Sequence, residues 1–179
     1  MALAHAILAT LMDCPSSGYD LRKRFEGSVG FFWQASFQQI YRELAKLEEQ
    51  GLVQGDAISQ TKRPDKKVFA VTPEGEAFLQ EWIRTPCDTA PLRDELLVKM
   101  FAGFTVPRGT ILQELKAHQL LHRQRLEVFH HIEQTFCSDP KTLSDHDRFR
   151  YLTLRNGIYF EQGWLAWCEE AIATVTQTS

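Results

Sequence analysis

Four side chains with hydrogen-bonding ends recur along one side of the segment from residue 36 to residue 50. They are Gln38, Tyr41, Arg42 and Lys46, and they fall opposite the apolar residues of the segment. An amide can bond the edge of an adenine, and a guanidinium can bond a guanine edge or a phosphate. Residues of these types at helical spacing are therefore candidates for contact with nucleic acid.

The same segment has the signals of a short helix with a defined start and end. Ser36 followed by Gln39 is a capping-box pattern, in which the two side chains satisfy backbone groups at a helix start. Gly51 suits the left-handed position that follows a helix end. The helical spacing predicts a buried stripe of Phe37, Ile40, Leu44 and Leu47. We predict a recognition helix over about residues 36–50, with Ser36 and Gln39 near its DNA-facing start.

The neighbouring segments predict the elements that would position this helix. An apolar helix over about residues 3–11 ends before Pro15, and Ser17 with Asp20 predicts the cap of a second helix. Two β-prone runs, 52–53 and 68–71, then flank a polar segment, which predicts a two-stranded hairpin or wing over about residues 54–67. Its basic tip contains Lys62, Arg63, Lys66 and Lys67. Three helices followed by a hairpin predict a winged helix-turn-helix in a mainly α protein.

Several of these segments together resemble one family. The chain resembles PadR-type transcriptional regulators at residues 18–21, 40–44, 51–53, 67–69 and 72–75 and at Trp33. The Gln38-Gln39 pair and residues 93–99 resemble the virulence-activator branch of that family, whose second half is a helical dimerisation domain. The resemblance implies a homodimeric regulator that binds double-stranded promoter DNA through the helix at 36–50 and the wing.

The segment from residue 85 to residue 91 predicts a domain boundary, since it holds Pro86 and Pro91 among small polar residues. We expect a DNA-binding domain at 1–86 and a helical dimerisation domain at 87–179. The first domain should close with a helix from about Pro73 to Ile83 that buries Phe78, Leu79 and Trp82.

The last helix has more apolar surface than one small domain needs to cover. One stripe recurs at spacings of 3 and 4, and a second apolar face contains Phe149, Leu152, Phe160, Trp164 and Trp167. A helix that is apolar on two faces is central to a core or packed against another chain. We predict that the first stripe forms a dimer interface, through Tyr151, Leu154, Ile158, Leu165 and Cys168. An intramolecular core is the alternative.

The charge of the chain leaves a second function open. Residues 1–86 hold 10 Lys and Arg against 11 Asp and Glu, so the predicted DNA-binding domain is not basic overall. Such a balance does not favour binding to nucleic acid through bulk charge, although local basic clusters remain. The alternative function is therefore a winged-helix module that binds a protein partner without binding DNA.

Other classes of function have little support in the sequence. His118 and His122 are spaced for a shared metal, but no further ligands follow nearby, so we expect neither a metal nor another cofactor. No phosphate-binding glycine loop or hydrolase motif occurs, and we do not expect an enzyme. The four cysteines form no C-x-x-C pair, and no apolar run is long enough to cross a bilayer, so we expect a cytoplasmic protein without membrane contact. The aromatic residues of the second half leave a small-molecule effector open.

Overall fold

A computed structural model describes residues 2–58, 66–89, 91–137 and 139–177. The chain divides into two compact units, Met1–Thr89 and Ala90–Ser179. The first unit contains helices α1 (Ala2–Asp13), α2 (Gly18–Glu26), α3 (Phe37–Glu49) and α4 (Pro73–Arg84), and strands β1 (Ser16–Ser17), β2 (Val53–Ile58) and β3 (Lys66–Val71). The second contains α5 (Glu95–Phe101), α6 (Arg108–Phe136) and α7 (Asp145–Gln177).

The core of the first unit forms where the apolar faces of α1, α2 and α3 meet. α1 supplies Ile7, Leu8 and Leu11, and α2 supplies Leu21 and Phe25; all five are fully or almost fully buried. α3 adds its own apolar stripe, and Val53 and Leu79 extend the cluster to β2 and α4. Because one face of each helix is apolar, the three helices can bury a common core while their other faces stay in water.

The predicted hairpin is confirmed by the antiparallel pairing of β2 with β3. The sheet has a third strand, β1, which the sequence did not indicate, and the strand order is β1-β3-β2. Ser16 pairs with Phe69 and Ser17 with Val68, in antiparallel register. Ser17 also caps α2, because its side chain accepts a hydrogen bond from the backbone of Asp20. Two serines before a glycine predict a turn, and only their pairing with a strand some fifty residues later makes them extended.

The last helix of the first unit, α4, has nearly the predicted bounds, but it buries fewer of its apolar residues than the sequence predicts. Thr72 caps it by accepting a hydrogen bond from the Gly75 backbone at 3.1 Å. Leu79 is buried, whereas Phe78 and Trp82 remain about half exposed. Both aromatic rings stack on the buried His5 of α1, at centroid distances of 4.8 and 4.4 Å. α4 therefore packs against α1 through the faces of the Phe78 and Trp82 rings, while the rest of both rings stays exposed to solvent.

The second unit consists mainly of two long helices, α6 and α7, that pack along each other. The residues buried between them include Leu115 and Phe129 of α6 and Ile158 of α7. The short helix α5 buries only Leu96, and the nearby Phe101 and Phe104 are each 88% exposed. No helix of the described residues is long and apolar enough to span a membrane.

Candidate nucleic-acid interface

The start of α3 is held by a complete capping box, which confirms the predicted start of the helix. Ser36 Oγ accepts a hydrogen bond from the Gln39 backbone at 3.3 Å, and Gln39 Oε1 accepts one from the Ser36 backbone at 2.8 Å. Both side chains are thus engaged in positioning the helix start. Only the amide nitrogen of Gln39 is outside this exchange. Gly51 follows the helix end with a φ of 72°, as the sequence predicts.

The two faces of α3 differ sharply in exposure. Ile40, Leu44 and Leu47 are each 1% exposed and hold the helix to the core. Gln38, Arg42 and Lys46 are exposed on the other side. Arg42 has no ion-pair partner among the described residues of this unit, whereas Lys46 lies 3.5 Å from Glu43. Arg42 is therefore a cation that can contact a phosphate without breaking an existing pair.

The structure contradicts the predicted burial of Phe37, which is 46% exposed. Its ring lies 4.4 Å from that of Tyr41, and the guanidinium of Arg22 lies 5.2 Å from its centroid. As the first residue of α3, Phe37 lies at the edge of the stripe, beyond the reach of the core. An aromatic pair spaced four residues apart is a sequence signal that could have indicated this surface cluster.

Tyr41 has a structural contact in addition to its partly exposed surface. A Cβ atom at Gly18 would come within 2.7 Å of the Tyr41 ring, so a side chain at this position would displace the ring from its close approach to α2. The ring therefore joins α3 to α2.

The lysines at the start of β3 are bound to carboxylates of the helices. Lys66 Nζ lies 2.5 Å from Asp20, and Lys67 Nζ lies 2.6 Å from Glu48 and 5.3 Å from the Phe69 centroid. These pairs connect the hairpin to α2 and to α3. Their partners are 46 and 19 residues away, so no local pattern indicates them. Lys62 and Arg63, the other two predicted wing residues, lie outside the described residues.

The pair at Asp20 also gives the wing a dependence on pH. The Lys66 ammonium, together with the Ser17 hydroxyl, holds the pKa of Asp20 below its ordinary value. A carboxyl with a lowered folded-state pKa stabilises the fold fully above its unfolded-state pKa, and this contribution is lost as the pH falls through the folded-state value. The pair is therefore intact at neutral pH and weakens in acid.

The stripe predicted as a dimer interface lies partly inside the second unit. Ile158 and Cys168 have no exposed surface, because α6 of the same chain covers them. Tyr151 donates a hydrogen bond to Glu133 of α6 at 3.1 Å. Within a single chain Ile158 and Cys168 are therefore core residues, which favours the intramolecular alternative at these two positions. A heptad-like stripe looks the same in sequence whether its partner helix belongs to its own chain or to another.

A buried polar pair between α6 and α7 was not indicated by the sequence. His122 Nδ1 lies 2.5 Å from Glu161 Oε2, and both side chains are more than nine-tenths buried. The His122 ring stacks on Trp164 at 4.9 Å. His118 is the neighbour with which His122 could have shared a metal, but within the described residues no group of three or more potential ligands could hold an ion.

Comparisons with known proteins agree with this arrangement in both units. Residues 7–81 match the transcriptional regulator PadR-like family, and residues 92–176 match the virulence activator alpha C-terminal domain. The chain is 36% identical over 180 residues to a probable transcriptional regulator of Mycobacterium tuberculosis, with 95% of each chain covered.

Two solved proteins share the fold over the full length. The Vibrio cholerae virulence activator AphA has 32% identity and a TM-score of 0.80, with 99% of each chain covered. Bacillus subtilis PadR, solved with operator DNA, has 26% identity and a TM-score of 0.85, with 98% of this chain and 99% of that chain covered. The same protein solved with p-coumaric acid has 25% identity and a TM-score of 0.80. The chain therefore belongs to the PadR-like family of transcriptional regulators.

Proposed function

We propose that this chain is a homodimeric, sequence-specific DNA-binding regulator that places α3 in the major groove and the wing on the backbone or minor groove. The observation that supports this most strongly is the exposed face of α3, from a helix fixed at its start by a capping box. It presents Gln38 and Arg42, and Arg42 has no ion-pair partner among the residues that the structure describes in this unit. Recognition helices contact base edges through such first turns. The likeness to the Bacillus subtilis protein solved with operator DNA supports the same function.

The residues of this surface would have different roles. Gln38 would bond a base edge, and Arg42 and Lys46 would contact phosphates. Ser36 and Gln39 would set the position of the first turn, with the Gln39 amide nitrogen left for DNA. Tyr41 would hold α3 against α2 and present its edge beside Gln38. Lys66 and Lys67 would contact the backbone while their carboxylate partners keep β3 in place.

The homodimer is supported by the apolar surface that the second unit leaves exposed. Two long helices and one short one leave many of their large apolar side chains exposed, and extensive exposed apolar surface marks interaction sites. The exposed residues on α5, α6 and α7 include Val98, Phe101, Leu120, Leu121, Val128, Phe149, Leu152, Tyr159 and Phe160. We place the interface on these residues, with the half-buried Tyr151, Leu154 and Leu165 at its border.

We place the protein in the cytoplasm, because a regulator of this family would act on promoter DNA there, and the proposed activity needs neither catalysis nor a cofactor. A small-molecule effector is included because the similar Bacillus subtilis protein was solved with p-coumaric acid. The alternative function is a protein-interaction module that does not bind DNA. The two functions can be distinguished by salt, because phosphate contacts make DNA affinity fall steeply as the salt concentration rises, whereas the module should show no such binding.

Gln38→Ala and Arg42→Ala should change DNA binding in different ways. Loss of the Gln38 amide should reduce discrimination between matched and mismatched sites by about 1–3 kcal/mol, because an amide bonds particular base edges. Loss of Arg42 should weaken binding to all duplexes and lower the salt slope by about one. Binding isotherms on both kinds of duplex at several salt concentrations measure the two effects. Gln80→Ala, an exposed glutamine of α4, is the control, and normal binding by both variants would contradict the role of α3.

Replacing Lys62, Arg63, Lys66 and Lys67 together by Ala should lower affinity for any duplex and flatten its dependence on salt. The reason is that fewer counterions are released when fewer cations meet phosphates. Lys116→Ala, which removes an exposed cation of the second unit, should leave the salt slope unchanged. A quadruple variant with the native slope would show that the wing does not contact DNA.

A further inference from the structure

One apolar side chain lies within the polar face of α3 and has no role in the core. Phe37 is the first residue of the helix, and nearly half of its surface is exposed. On a helix, positions 37, 38, 41, 42 and 45 form a contiguous surface, and all five are exposed here. The Phe37 ring is therefore a neighbour of Gln38 and Tyr41 on the surface that faces the DNA.

The ring is held in place although it is not buried. Tyr41 packs against it at a centroid distance of 4.4 Å with an angle of 50° between the rings. The guanidinium of Arg22 lies 5.2 Å from its centroid, and Arg22 Nε is itself fixed by Glu26 at 2.7 Å. A side chain that is already ordered loses little rotamer entropy when it binds. These contacts make Phe37 a rigid apolar group at the start of the helix.

The chemistry of the major groove limits what such a group can recognise. A phenyl ring has no hydrogen-bond donor or acceptor for the polar edges of the bases. The apolar group that the major groove offers is the C5-methyl of thymine, and phenylalanine is one of the side chains that contact it. The N-terminal residues of a recognition helix are those that approach base edges.

We propose that Phe37 is a specificity-determining residue that packs its exposed ring against the methyl group of a thymine in each half-site. Arg22 and Tyr41 act as positioning residues that hold the ring. This inference rests on the proposed function, since it requires that α3 enters the major groove. It adds recognition of the thymine methyl group, which the hydrogen-bonding residues of the helix cannot contact through a hydrogen bond.

The test replaces single thymines by deoxyuridine, which removes only the methyl group. The intact protein first selects its preferred duplex from a random pool, and each thymine of that duplex is then replaced in turn. Affinities measured by fluorescence anisotropy should fall roughly fourfold at one thymine per half-site, as expected for one buried methyl group. Phe37→Ala should bind the thymine and deoxyuridine duplexes equally at that position. Phe37→Leu should restore part of the difference.

Phe31→Ala is the matched control, because Phe31 is 45% exposed but lies outside α3. It should keep the wild-type response to deoxyuridine, and circular dichroism should show that all three variants are folded. The proposal is overturned if no thymine substitution weakens the wild type, or if Phe37→Ala keeps the deoxyuridine penalty. The deoxyuridine scan of the wild type alone can show that no thymine methyl group contributes to binding, so this outcome does not depend on the folding of any variant. If the random pool gives no preferred duplex, the proposed sequence-specific DNA binding itself is wrong. This result can be distinguished from failure of the Phe37 proposal, in which a preferred duplex is selected but its thymine methyl groups do not affect affinity.

Discussion

Ile158→Glu should unfold the second unit of the chain. The side chain of Ile158 has no exposed surface and lies between α6 and α7. A charge without a partner at such a position costs several kcal/mol, which is a large part of the 5–15 kcal/mol that typically stabilises a domain. Circular dichroism should show a loss of helix, because most residues of this unit are helical, and DNA affinity should fall with the loss of the dimer.

Leu152→Glu provides the contrast, because Leu152 lies on the same helix but is mostly exposed. If the exposed face of α7 is the dimer interface, this variant should remain helical and become a monomer by light scattering. Its DNA affinity should fall sharply, since one half-site contact replaces two. If Ile158→Glu instead gave a folded monomer, Ile158 would not be part of the core of its own chain. The dimer interface would then lie on the stripe that contains Ile158, as the sequence predicts.

Glu161→Ala should destabilise the second unit by about 3 kcal/mol, because removal of one member of a buried pair leaves the other without its partner. Here the Nδ1 atom of His122 would lose its 2.5 Å hydrogen bond while its ring stays under Trp164. Urea unfolding followed by circular dichroism measures the change. Glu169→Ala removes an exposed carboxylate from the same helix and should change stability by less than about 0.5 kcal/mol. Equal stability of the two variants would show that the pair contributes nothing.

Local patterns were sufficient to predict much of the fold. The start of α3 followed from the capping pair Ser36 and Gln39, and its end followed from Gly51. Each of these signals acts over three or four residues, which is the range in which sequence alone determines hydrogen bonding. The winged-helix class followed from the order of such elements, and the comparisons confirm it.

Features that depend on distant residues could not be predicted in this way. The strand at Ser16 and Ser17 exists only because β3 pairs with it. The ion pairs of Lys66 and Lys67 depend on the packing of the hairpin against two helices. The exposure of Phe37 depends on where the core ends, which periodicity does not specify.

The second unit shows the same limit in another form. Spacing showed that α7 has two apolar faces, but it could not show which of them packs inside the chain. Ile158 and Cys168 lie against α6, so the face proposed for the partner chain is the one that contains Leu152 and Phe160. The His122 and Glu161 pair is equally invisible in sequence, since its members are 39 residues apart.

Hydroxyl-radical footprinting of the intact protein on a duplex selected from a random pool shows whether a dimer places its two α3 helices on paired half-sites. A two-fold dimer that places one α3 in each of two major grooves should protect two equivalent half-sites, with centres about one helical turn of 10–10.5 base pairs apart or a multiple of it. Arg42→Ala should weaken both protected regions together. A single protected region, or no protection at salt concentrations where the wild type remains folded and dimeric, would contradict the account.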